Sequence, residues 1–211
     1  MITFPDLVQV AGLKDGSLPR ASATVLAAAG PQPGIYIAAQ VAGAIAGLPA
    51  QHGLTYLGLA GISKLFHSSG YFREEQLAKL SDGGVFVMLQ RVAGELPFCM
   101  HQLTTDPSTL QSGEVSIVKN IDFVSVFLLT NLEGFLGRYN VLPETLDDIL
   151  QSINTVTSDL KSRKVARIGP PLLSGEVTKL QANPDFADRV ETFFKGKIPA
   201  PLNNIDLRVI F

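Results

Sequence analysis

From Ala21 to Ser63 the chain carries no Asp, Glu, Lys or Arg. So long an uncharged stretch must find shelter from water, in a protein core or in a bilayer. Within it lies "IAAQVAGAIAGLPAQHG", where Gly43 and Gly47 stand at the GxxxG spacing that pairs helices in membranes. Pro31, Pro33 and Pro49 cut the run, and the apolar pieces between them fall short of the roughly 20 residues a spanning helix needs. The sequence therefore predicts a water-soluble helix packed closely through its Gly and Ala residues, with no direct membrane insertion. Hydrophobic residues make up 46% of the chain and charged residues 17%, enough apolar material for a sizeable core.

The onset of this stretch is abrupt. Before it, "MITFPDLVQV" reads as extended, with Pro5 confining it to a sheet edge or strand end. "LKDGSLPR" follows as a turn-rich linker. The opening has no basic segment ahead of an apolar run, so it does not read as a secretory leader. Residues 1–20 are accordingly expected to form an N-terminal arm and linker, 21–202 a core domain, and 203–211 a C-terminal arm strand.

Along the core, "REEQLAKL" predicts a short helix with acids in its early turns, followed by the turn "SDGG". "VFVMLQRV" and "PFCMHQL" predict neighbouring strands, and "TTDPSTLQSG" a loop. A long helix is expected over Ile121–Tyr139, apolar around much of its circumference and so central to the fold. A second is expected from Glu144 to Lys161, burying Leu146, Ile149, Leu150, Ile153, Val156 and Leu160. Short strands are expected near "VARIG" and "EVTKLQ". A third helix is expected with Asn183 as N-cap, Pro184 at its first position and Gly196 as its stop. The fold class is α+β: a mixed sheet packed by helices, with extended N- and C-terminal arms.

The last residues, "NNIDLRVIF", alternate apolar and polar, with Ile205, Leu207, Val209 and Phe211 on one face of a strand. Burying those four side chains would contribute roughly 6–12 kcal/mol. Ordering the seven residues from Ile205 costs about 7–14 kcal/mol. The two nearly cancel, so the segment needs a sheet edge that supplies backbone partners. That edge could belong to the same chain or to another; the residues alone leave both open.

Chemistry is sparse. The formal net charge of −2 gives no general attraction to nucleic acid or anionic lipid, and "KSRKVAR" reads as a solvated helix end. The one cysteine, Cys99, cannot form a disulfide within the chain. Cys99 and His101 share a strand face, the spacing of a nucleophile with its base or of half a metal site. No orienting acid is evident near them in sequence, so a buried structural cysteine beside an ordinary histidine is expected. Asp147–Asp148 and Glu74–Glu75 read as helix-start charges. There is no phosphate-loop, dinucleotide, metalloprotease, nucleophile-elbow or CxxC motif. No enzyme, catalytic residue, metal or cofactor is expected.

Taken in order, several stretches resemble the sheath proteins of contractile phage tails and related injection machines. They are "PGIYIAAQVAGAIAGLPAQHGLTYLGLAGI", "REEQLAKLSDGGVFVMLQRV", "MHQLTTDP", "IVKNIDFVSVFLLTNLEGFLGRYN" and the terminal "IDLRVIF". The opening "MITFPDLVQV" is similar to the N-terminal arm of one sheath branch. Sheath subunits are usually much longer, with outer domains between arm and core; here the two meet near Arg20 and Ala21. Either this is a minimal sheath or outer domains are missing from the sequence at that junction.

The resemblance implies a structural subunit that polymerises as stacked rings around a tail tube and contracts to drive the tube into a host envelope. It implies that both arms add strands to sheets of neighbouring copies. The interface residues would then be Ile2, Phe4, Leu7, Val8 and Val10 at one end and Ile205, Leu207, Val209 and Phe211 at the other. Tube-facing candidates are Lys161, Arg163, Lys164, Lys195 and Lys197 on the charged faces of the second and third helices. Implied partners are further copies of the chain, a tail tube protein, and neck, terminator and baseplate proteins, without nucleic acid. The implied location is the phage tail of a virion assembled in the host cytoplasm. A neck or baseplate protein with a sheath-like core, building finite rings, is the alternative.

Overall fold

Ile37 and Val41 lie one helical turn apart in the uncharged stretch, and both are buried. They belong to α1 (Ile35–Gly47), whose inward face also brings Ala44 and Ile45 against the core. The computed structural model describes residues 9–11, 31–32, 35–61, 65–66, 73–91 and 95–203. These fall into two compact units.

The first unit holds the described residues through Pro49, Gly53–Val115 and residues 202–203. Its core joins Ile37 and Val41 to Leu54, Leu59, Leu65, Phe86, Met88 and Cys99. Short antiparallel strands β1 (Gln9–Ala11), β2 (Pro31–Gln32) and β3 (Leu65–Phe66) form one sheet, with β1 in the middle. Helix α2 (Glu74–Asp82) starts where the Gln76 side chain accepts the Arg73 N–H at 2.8 Å, and carries Glu74 and Glu75 in its first turn. Gly84 then turns the chain at φ +70°, with the Thr104 carbonyl oxygen 2.6 Å from where a Cβ would stand. Only glycine fits there. The turn delivers β4 (Val87–Leu89), which pairs antiparallel with β5 (Phe98–His101). The "TTDPSTLQSG" stretch contains a single helical turn, α3 (Leu110–Gly113), capped by the Thr109 hydroxyl accepting the Ser112 N–H at 3.1 Å.

The expected close packing through Gly43 and Gly47 is not found. Both glycines are exposed, and no described atom lies within 4 Å of where a Cβ on either would stand. The helix packs through Ile37, Val41, Ala44 and Ile45 instead, because side chains bury apolar area that a glycine lacks.

The second unit holds Ala50–His52 and Ser116–Pro201. Helix α4 (Val115–Leu132) begins six residues before the expected start and ends in a 3-10 turn, Glu133–Phe135. It is less enclosed than its composition suggests: Val124 is buried, while Ile121 is 40%, Val126 62% and Leu129 65% exposed. By length and composition the stretch Val115–Phe135 would suffice to cross a membrane. Here one face is built into the unit, and the fully buried Asn120 side chain donates to the Pro171 carbonyl at 2.8 Å. Helix α5 (Pro143–Ser162) matches the expected second helix, with proline in its first turn and Ile149, Ile153, Val156 and Leu160 buried. The unit's core joins Val124, Val156, Leu160 and Leu172, with Phe123, Phe127, Phe194 and Ile198 packed on it.

The expected third helix is a β-hairpin. Strand β6 (Ser174–Ala182) pairs antiparallel with β7 (Val190–Lys197) over their full length. The Asn183 signal was local and real: its side-chain oxygen accepts the N–H groups of Asp185 and Phe186 at 2.9 and 3.0 Å. It caps a turn between strands, and the β-branched and aromatic run "VETFF" then takes the ladder across from β6. "VARIG" is a tight turn closed by a Val165–Gly169 bridge, with Arg167 at φ 66°, and not a strand. The whole is α+β, with helices and small antiparallel sheets.

Candidate functional site

Of the N-terminal interface candidates, Ile2, Phe4, Leu7 and Val8 lie outside the described residues. Val10 is in β1, paired within this chain to Gln32 on one side and Leu65 on the other. The C-terminal candidates Ile205, Leu207, Val209 and Phe211 also lie outside the described residues; the described chain stops at Asn203.

The candidate cations divide. Arg163 follows α5 and is engaged: its guanidinium reaches Asp159 Oδ2 at 2.6 Å and sits 4.7 Å from the Phe127 ring centre. The hydrogen bond to Asp159 raises its pKa further. Lys161 and Lys164 are exposed beside it. Lys195 and Lys197, expected on a helix, are two apart on β7 and therefore on one face of the ribbon. None of these four lysines makes an ion pair among the described residues.

The β6–β7 ribbon is the most extended β feature. Its strands run nine and eight residues, and they pair only with each other among the described residues. Each therefore has one outer edge of N–H and C=O groups without a strand partner. Gly175 leaves room for the Phe194 ring, whose Cζ lies 2.4 Å from where a Cβ would be, so the ring rests on the ribbon near Leu172.

Cys99 and His101 share a strand as expected, but an acid does stand beside the histidine. Residues 102–104 pair back on 113–115: Val115 N–H donates to Gln102 O and Thr104 N–H to Gly113 O, both at 2.9 Å. Leu103 bridges Glu114. This places the Glu114 carboxylate, 3% exposed, so that Oε1 is 2.5 Å from His101 Nε2. Glu114 Oε2 is buried without a hydrogen-bond partner among the described residues. Asn203 closes the cluster. Its Nδ2 donates to Glu114 Oε1 at 2.8 Å and lies 3.4 Å from His101 Nε2, while its Oδ1 accepts from the Thr55 hydroxyl at 3.0 Å. Thr55 is held along β5 by a parallel bridge to Cys99.

The arrangement does not make a nucleophile. Burial first, and the nearby Glu114 charge second, push the Cys99 thiol up to about 12. Among the described residues no group of three or more His, Cys, Asp or Glu is placed to hold a metal. Sequence reasoning missed Glu114 and Asn203 because they lie 13 and 102 residues from His101. Only the fold brings them there.

This order of helices, short sheets and ribbon is the fold of contractile-tail sheath proteins. The chain is similar to a chain of the contracted helical sheath of the anti-feeding prophage, at TM-score 0.62 and 13% identity, over 85% of this chain and 51% of that one. It is similar to the sheath tail protein of Listeria innocua at TM-score 0.59 and 14% identity, over 90% and 44%. A chain of the anti-feeding prophage baseplate matches at TM-score 0.61 and 13% identity, over 85% and 50%. The chain spans about half the length of the structures it matches. No protein-family model and no curated protein sequence matches it.

Proposed function

We propose that this chain is a structural subunit of a contractile tail sheath, polymerising around a tail tube by strand exchange and contracting to drive the tube into a host envelope. The observation that carries this is the β6–β7 ribbon on a sheath-type fold. Its strands of nine and eight residues offer outer edges long enough for the seven alternating residues Ile205–Phe211. A two-stranded ribbon is marginal alone and gains from a third strand, while the added strand gains backbone partners. On this reading Ile205, Leu207, Val209 and Phe211 insert beside the ribbon of a neighbouring copy. The N-terminal arm, with Ile2, Phe4, Leu7, Val8 and Val10, joins a neighbour by making the β1 pairs with that copy's β2 and β3. Lys161, Lys164, Lys195 and Lys197 are the cations left for a tube surface; Arg163 is already occupied by Asp159.

The partners are copies of this chain, a tail tube, and neck or baseplate proteins. The place is the tail of a virion assembled in the host cytoplasm. The likeness to a baseplate chain supports the second reading, a neck or baseplate component that forms finite rings. Deleting Ile205–Phe211 tests strand exchange. The truncated protein should stay folded by circular dichroism and fail to build tubes or rings by electron microscopy. Assembly indistinguishable from the full chain overturns the proposal, and unfolding assigns the segment to its own sheet.

A further inference from the structure

Asn203 is the last described residue before the segment that the proposed function sends to a neighbour, and it is tied down on both ends of its amide. Glu114 and Thr55, the residues that hold it, are 89 and 148 positions away in sequence. The amide's orientation follows from chemistry. Turned over, its carbonyl would face the Glu114 carboxylate and its NH2 group the Thr55 hydroxyl, trading a charge-assisted bond for two acceptors in opposition. Glu114 is itself positioned by the backbone pairing of 102–104 with 113–115, and Thr55 by its bridge to Cys99. Of the holding groups Glu114 is buried and Thr55 and His101 are half-buried, whereas Leu202, one residue before the anchor, is 78% exposed. Pro199 and Pro201 restrict the backbone that leads to it.

We infer that Thr55, Glu114 and His101 form a clamp that makes Asn203 the fixed pivot of the C-terminal segment, so that rearrangement between copies is confined to residues beyond it. This rests on the reading that the segment joins a neighbour, and it adds where the segment departs and what resists its being pulled back. His101 keeps the buried carboxylate partnered; Asn203 is a positioning residue that spends its whole amide on the clamp. A segment leaving from a fixed point reaches a neighbour at a defined distance, which a lattice of identical copies requires.

The test uses unassembled full-length protein and chymotrypsin, following cleavage after the exposed Leu202 by mass spectrometry. A protease needs several residues around that bond released into extended form, so the rate reports opening of the clamp. Asn203→Ala and Thr55→Val should each speed that cleavage about tenfold or more, with the thermal midpoint changed by a few degrees at most. The double variant should be no faster than Asn203→Ala alone, as expected for two groups sharing one contact. Thr55→Val keeps the test alive if Asn203→Ala folds poorly. Cleavage of the wild-type chain as fast as that of either variant, or additive effects in the double variant, overturns the clamp. Because no assembly is involved, this outcome is separate from that of deleting Ile205–Phe211. Loss of the clamp leaves strand exchange standing, whereas continued polymerisation after the deletion leaves the contacts that hold Asn203 but removes their role as a pivot between copies.

Discussion

Cys99 shows what a single residue's surroundings decide. It is 3% exposed and its thiol is pushed up to about 12, chiefly by burial. At pH 8 the thiol then stays protonated, and the thiolate is the reactive form. Iodoacetamide should therefore leave the native protein unmodified at pH 8 and label it fully in denaturant; native labelling at the rate of a free thiol would contradict the burial. The sign of the pH effect follows. Above the ordinary thiol value of 9.0 the unfolded chain loses the Cys99 proton while the folded chain keeps it. Stability therefore falls as pH rises from about 9 towards 12. Subtracting the urea midpoints of Cys99→Ala from those of wild type across that range isolates the contribution. The sharing of a strand face by Cys99 and His101 was legible in two letters of sequence. The acid opposite was not, since no local rule connects His101 to Glu114.

At the scale of elements, legibility depended on how far each signal reached. Helix α5 was readable because its apolar spacing and N-terminal acids agree. Of the β6–β7 ribbon, β6 was readable at "EVTKLQ", but β7 was not, because Asn183-Pro184 is an equally good start for a helix and for a turn, and the choice belongs to the partner strand. In α4 the apolar count outran the burial, since a helix can bury only the face that has something to pack on. Replacing Val126 or Leu129 by Ser should leave stability of the unassembled protein within about 0.5 kcal/mol. Leu160→Ala, at a fully buried site on α5, should cost about 2–5 kcal/mol in denaturant unfolding. Equal losses from the two helices would show that α4 is enclosed after all. Gly84→Ala tests the turn into β4. A methyl group must meet the Thr104 oxygen from a left-handed backbone, so about 2–4 kcal/mol should be lost.

For the whole molecule the open question is closure, and strand exchange bears on it through symmetry. A segment given by one copy and received by a different surface of the next is a head-to-tail contact, which either closes into a ring or continues without limit. On the proposed reading, the clamp at Asn203 would fix where the donor segment leaves, and the β6–β7 ribbon would fix the length of edge that receives it. Neither depends on how many copies follow, so the same pair of surfaces serves a finite ring and a long tube. Concentration separates the two. Sedimentation velocity of a ring-former shows one assembled species whose size stays constant as protein is added. A sheath-former gives a broad, growing population whose mean length rises with concentration, because each added layer presents the same edges as the last. We expect the second behaviour for the purified chain, with electron micrographs showing tubes of varied length. A single boundary over a tenfold range of concentration would assign the protein to a ring at the neck or baseplate, with the same strand exchange closing a circle.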